Sequence, residues 1–130
     1  MPKARLFLFL DMTPKEIIKN WVDTFNNKDV ETLANFYHEA AINHQVNTEP
    51  LYGREAIKQM FTEEFSKAEM VCIIENIFED KNWGMLEWKD PLGLRGCGFF
   101  EIENDKIKFQ RGYWDKLSFL RIHGLPIPQE

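Results

Sequence analysis

Ile107-Lys108-Phe109-Gln110-Arg111-Gly112-Tyr113-Trp114-Asp115 reads as one long strand, and its two faces decide how the rest of the chain is arranged. Side chains alternate along a strand, so Gln110, Gly112 and Trp114 share one face while Phe109, Arg111, Tyr113 and Asp115 share the other. An amide, a gap and a large ring on one face suit the wall of a pocket. Upstream, Asn104-Asp105 reads as a tight turn, and the strand Leu94 to Glu103 pairs back across it. That pairing sets Gly96 and Gly98, with Leu94 and Phe100, beside the same face. Glycines there either let the sheet bend or leave a cavity floor without side chains, and a strongly bent sheet does both.

Working outward, Met70 to Phe78 and Trp83 to Lys89 are two more strands, separated by the turns Asp80-Lys81-Asn82 and Asp90-Pro91-Leu92-Gly93. Before them the period is helical. Thr13-Pro14-Lys15-Glu16 carries a capping hydroxyl, a proline at the first helical position and a glutamate three residues after the cap. Ile17, Ile18, Trp21, Val22 and Phe25 then form one apolar stripe. Asp29 caps a short second helix with Val30, Leu33, Phe36 and Tyr37, and Ala40 to Val46 turns to strand character until Asn47-Thr48-Glu49-Pro50 breaks it. Tyr52-Gly53-Arg54-Glu55-Ala56-Ile57 opens a third amphipathic helix, with Ile57, Met60, Phe61 and Phe65 in its stripe. Phe119 to His123 predicts a last helical turn ended by Gly124. Helices followed by strands predict an α+β domain, a cone-shaped, curved and mainly antiparallel sheet wrapped around three N-terminal helices.

The 130 residues, 44% hydrophobic and 14% aromatic, make one domain over 13–130. Residues 1–12 read as an extension before it. The apolar run Leu6 to Leu10 is too short for a secretion signal and is closed by Asp11, and no run approaches a membrane span. The 16 basic and 21 acidic residues, a net charge of −5, form no block of either sign, which argues against nucleic acid as a partner. Cys72 and Cys97 lie in apolar strands without CxxC spacing, as reduced core thiols of a cytoplasmic protein do.

Polar residues aimed into the cone are the candidate working groups: Tyr37, Asn43, Gln45 and Gln110 to orient a ligand, and Glu87, Asp90 or His44 to move a proton. Glu87 either alternates outward between Leu86 and Trp88 or is a buried carboxylate of raised pKa. Asp90, before Pro91, also fits a turn. His44 faces the cone only if its strand has the opposite parity to Asn43 and Gln45, and a lone histidine also serves as a structural hydrogen-bonding residue. Trp21, Phe25, Trp88 and Trp114 supply apolar walls, and Gly96, Gly98 and Gly112 supply room. The three histidines have no HxxxH or HxH spacing, and no GxSxG, phosphate loop or dinucleotide fingerprint occurs, so neither a metal nor a cofactor is expected.

The capped helix hairpin, the Tyr52-Gly53-Arg54-Glu55-Ala56-Ile57 helix start, and Asp105-Lys106-Ile107 followed by Tyr113-Trp114-Asp115 resemble the nuclear transport factor 2-like superfamily, in its SnoaL-like, polyketide cyclase-like branch. The resemblance spans Thr13 to about Pro128 and implies the cone fold; the superfamily holds enzymes and inert binding modules alike. More distantly the chain resembles the limonene-epoxide-hydrolase-like proteins. Asn43 and Gln45 match the pocket tyrosine and asparagine that hold the nucleophilic water there. That family's final-strand aspartate falls on Gly112, and its Arg-x-Asp falls on Trp88-Lys89-Asp90, so only Asp90 survives of the charged group. No Tyr-plus-Asp pair of ketosteroid isomerase type can be placed either. The expectation is a protein that binds a small hydrophobic or aromatic molecule and acts as a cofactor-independent isomerase, cyclase or hydratase. The other reading is a non-catalytic binding or interaction module. Both carry a homodimer formed by the outer sheet face with Phe109 and Tyr113.

Overall fold

A computed structural model describes residues 12–129; the expected N-terminal extension lies, but for Met12, outside them. The capping box at Thr13 is complete, its hydroxyl accepting from Glu16 N at 3.2 Å while Glu16 Oε1 accepts from Thr13 N at 2.8 Å. It starts α1 (Pro14–Asn26), whose buried stripe is Ile17, Ile18, Trp21, Val22 and Phe25. Next come α2 (Val30–Ala34), β1 (Tyr37–Gln45), β2 (Leu51–Tyr52) and α3 (Arg54–Lys67). The strands β3 (Ile73–Asp80), β4 (Trp83–Lys89), β5 (Arg95–Glu103) and β6 (Lys106–Trp114) follow, then α4 (Lys116–Ile122).

The six strands form one open, curved sheet in the order β2-β1-β6-β5-β4-β3, antiparallel except where β1 runs parallel to β6. The β5–β6 turn uses Asn104 and Asp105 at φ 53° and 64°, the left-handed pair that a two-residue hairpin with native twist needs. α1 lies against the concave face so closely that a Cβ on Gly84 of β4 would meet Pro14 Cβ at 3.2 Å and collide with Ile18 Cδ1. Ile57 and Phe61 of α3 complete the core. Asn26 ties the end of α1 to the start of the meander. Its amide donates to Cys72 O at 2.9 Å and accepts from Cys72 N at 2.7 Å, as a neighbouring strand would.

Some boundaries differ from the sequence expectation. Tyr37 opens β1 rather than closing α2, because Ile107 N bonds Phe36 O at 2.7 Å and draws the backbone into register with β6. β3 begins at Ile73, since Asn26 holds the preceding segment against α1. The short β2 was not expected: it follows the break at Asn47 to Pro50 and takes Tyr52 from the expected helix start, pairing with Ile42 and Asn43. Cys72 is buried, but Cys97 is half-buried on the outer face, paired with Tyr113; both are free.

Candidate functional site

The pairings Gly96 with Trp114, Gly98 with Gly112 and Phe100 with Gln110 put those six residues on the concave face through a one-residue register shift between Glu101 and Ile102, without which the pairs Glu103–Lys106 and Ile102–Ile107 would carry on to set Phe100 beside Phe109. β4 adds Leu86 and Trp88 beside Gly98 and Gly96, and β1 adds Asn43 and Gln45 beside Gln110 and Gly112. Between this face and the helices lies a cavity of about 120 Å³, lined by Trp21, Phe25, Gln45, Leu86, Trp88, Gln110 and Trp114, with Met60, Phe61 and Glu64 from α3 and Phe119 and His123 from the C-terminal helix. Its volume is of the order of the ~150 Å³ cavity that holds benzene. Trp21 stacks on Phe25 with centroids 5.2 Å apart and meets Phe100 edge-on at 5.4 Å, while Trp114 meets Phe119 edge-on at 5.4 Å.

The glycines divide. Gly96 makes room for the protein itself: a Cβ there would lie 2.8 Å from Cε2 of the Trp88 ring and 2.9 Å from Tyr113 O. Gly112 does the same for the Gln45 amide, whose Cδ would lie at 2.9 Å. Gly98 alone of the three would have only ordinary contacts, 3.5 Å to Arg111 O and 3.7 Å to Phe100, and it opens on the cavity.

A continuous polar chain backs this wall. Trp21 Nε1 donates to Tyr37 OH at 3.0 Å, and that hydroxyl donates to Gln110 Oε1. From the other end Trp114 Nε1 donates to Gln45 Oε1 at 2.8 Å, Gln45 Nε2 to Asn43 Oδ1 at 2.8 Å, and Asn43 Nδ2 to Gln110 Oε1 at 3.2 Å. Tyr37 and Asn43 are wholly buried behind the wall, and Gln45 and Gln110 face the cavity. Burial pushes the Tyr37 hydroxyl far above the usual phenol range, so it stays a donor.

Asp90 is buried at 7% exposure and lines the cavity. Its Oδ1 accepts from Leu92 N and Leu94 N, both at 2.9 Å, which closes the β4–β5 turn. Its Oδ2 lies 2.9 Å from His123 Nε2. The turn reading and the cavity reading of Asp90 therefore both hold. His123 had no sequence signal, because 33 residues separate it from its partner. Glu64 was also passed over, although a signal existed: it lies four residues after Met60 and three after Phe61, on the α3 stripe. Burial, opposed by Lys67, pushes its carboxyl up to about 6.

The other two proton-transfer candidates lie elsewhere. Glu87 is on the convex face opposite Cys97, accepting from Asn76 Nδ2 at 2.7 Å. His44 is also convex, its Nδ1 accepting from Arg111 Nε at 3.3 Å, because β1 pairs with β6 in the register that turns Asn43 and Gln45 inward. Among the described residues no group of three or more His, Cys, Asp or Glu is arranged to hold a metal ion, and no helix is long and apolar enough to cross a membrane.

The family described as SnoaL-like domain matches residues 18–110. No curated protein matches. Among solved structures, a Catenulispora acidiphila protein of ketosteroid isomerase-like fold, in complex with trimethylamine, is similar with a TM-score of 0.77 at 16% identity, over 88% of this chain and 96% of that one. An LEH-like epoxide hydrolase of M. tuberculosis gives 0.70 at 17%, over 82% and 86%. SalBIII, an epoxide hydrolase/cyclase-like enzyme in pyran ring formation in salinomycin, gives 0.71 at 19%, over 80% and 92%. At these identities the likeness is one of fold.

Proposed function

Since the chain belongs to the SnoaL-like domain family, we propose that it binds a small hydrophobic or aromatic molecule in the conical cavity and acts on it by proton transfer, as a cofactor-independent isomerase, cyclase or hydratase. The Asp90–His123 pair in the wall of an apolar cavity carries this reading. A carboxylate oxygen accepts, so the Nε2–H of His123 donates to Asp90, the arrangement of a histidine oriented by a carboxylate. Glu64, with its carboxyl pushed up to about 6, supplies an acid that is partly protonated near neutrality. Trp21, Phe25, Trp88 and Trp114 give the ligand its apolar seat. Free thiols at Cys72 and Cys97 favour action in a reducing compartment, the cytoplasm.

The second reading is a binding module without turnover. It is favoured by Asp90 itself, which spends both oxygens on the turn and on pinning the C-terminal helix, a structural task sufficient to explain it. Either reading carries a homodimer through the convex face, where Phe78, Trp83, Phe99 and Tyr113 are 37% to 55% exposed.

Native mass spectrometry of the purified protein, followed by extraction, should find a retained compound of roughly monocyclic size. Turnover of that compound should be lost in His123→Gln and Glu64→Gln at unchanged binding. Retention without product in any variant would support the binding module, and failure to retain or bind any apolar compound would overturn both readings.

A further inference from the structure

Every hydrogen bond in the polar chain has its direction set by an indole at one end. An indole N–H can only donate, so Trp21 makes Tyr37 pass its own proton on, and Gln110 must meet it with oxygen. Trp114 likewise obliges Gln45 to present oxygen to it and nitrogen to Asn43, and Asn43 then turns its own nitrogen to Gln110. Both chains thus end as donors on one atom, Gln110 Oε1. Rotating the Gln110 amide would set nitrogen against the Asn43 nitrogen, abolishing that bond, and would leave the Tyr37 hydroxyl proton without an acceptor. Gln110 Nε2 is the atom left over. Its residue is 6% exposed and lines the cavity, and among the described residues the hydrogen bonds of the Gln110 side chain are all made by Oε1.

We propose that Gln110 Nε2 is the selective donor of the cavity, recognising the carbonyl oxygen of a neutral, monocyclic-sized compound. An acceptor such as a carbonyl oxygen is required because the amide nitrogen offers only N–H, and a ligand that fills the cavity without one leaves that donor desolvated and unpaired, at about 1–3 kcal/mol. An anionic ligand is disfavoured because Glu64, Glu69 and Asp90 line the cavity and no Lys or Arg does. Two donors on Oε1 polarise the amide and strengthen its N–H bonds toward any oxygen that gains negative charge. The inference rests on the ligand-binding reading above and deepens it by naming the group that the cavity recognises.

Acetophenone and its isostere α-methylstyrene differ only in the carbonyl oxygen, and they test this directly. Binding of each is measured by tryptophan fluorescence to wild type and to Gln110→Met, and the carbonyl stretch of bound acetophenone is read by infrared difference spectroscopy. The ratio of acetophenone to α-methylstyrene affinity should fall at least tenfold in Gln110→Met, and the stretch in wild type should lie at the lower frequency of a hydrogen-bonded ketone. The infrared measurement needs no variant and stands even if Gln110→Met folds poorly. An unchanged ratio, or a wild-type stretch at the apolar-solvent frequency, would overturn the donor and leave the cavity's binding role intact. Failure of both probes to bind wild type would overturn the binding reading and the donor with it.

Discussion

Replacing Glu64 with glutamine should stabilise the ligand-free protein above about pH 6 and leave it unchanged below 4.5. Burial raises this carboxyl from its ordinary 4.5 to about 6, with Lys67 opposing only in part. A raised carboxyl holds its proton more tightly in the folded state than in the unfolded chain. Between 4.5 and about 6 the native state therefore binds more protons, stability falls as pH rises, and the full penalty is present above that window. At ~1.36 kcal/mol for each tenfold change in proton affinity, the penalty is about 2 kcal/mol. Water reaching the half-buried group at the cavity wall screens part of it, leaving ~1–2 kcal/mol. Urea denaturation from below 4.5 to above 6 measures this as the difference between the two stability curves. Wild type should lose stability across the window and Glu64→Gln should lose less by that amount. Parallel curves would mean that Glu64 is solvated at its ordinary pKa, and its role as an acid in the cavity would fall with it.

Gly96→Ala forces the Trp88 ring and the Tyr113 carbonyl apart and should cost about 1–3 kcal/mol by thermal unfolding. Gly98→Ala meets only ordinary contacts, so it should fold within ~0.5 kcal/mol of wild type while weakening the binding of apolar probes. Asp90→Ala strands the amides of Leu92 and Leu94 and should cost about 2–4 kcal/mol, whereas Asp90→Asn, which keeps an oxygen for them, should cost about 1 kcal/mol; equal losses in urea would contradict the turn role. Tyr113→Glu, on the 43% exposed ring that meets Phe99 edge-on, should convert a homodimer to monomer in sedimentation velocity, and an unaltered dimer would move the interface elsewhere.

The sequence alone determined the elements and which side chains share a face along each strand. A capping box and a stripe of period 3.6 are local, and they marked the start of α1 and its buried face. Alternation grouped Gly96, Gly98 and Phe100 on one face of β5 and Gln110, Gly112 and Trp114 on one face of β6, but a one-residue bulge between Glu101 and Ile102 brings those two faces together, since the unshifted hairpin would set Phe100 opposite Phe109. Glu64 was legible in the same way and went unread. What the tertiary structure decided was what each face meets. Whether a glycine leaves space depends on side chains from other strands, so Trp88 fills the gap at Gly96 and Gln45 the gap at Gly112, and Gly98 keeps its own open to the cavity. His44 and Glu87 turned outward through strand pairings made across the sheet. The partnership of Asp90 with His123 and the convergence of two hydrogen-bond chains on Gln110 join residues 16 to 73 positions apart, in Trp21–Tyr37, Asp90–His123, Asn43–Gln110 and Tyr37–Gln110. No local periodicity carries such information, since it exists only once the chain has closed around its core.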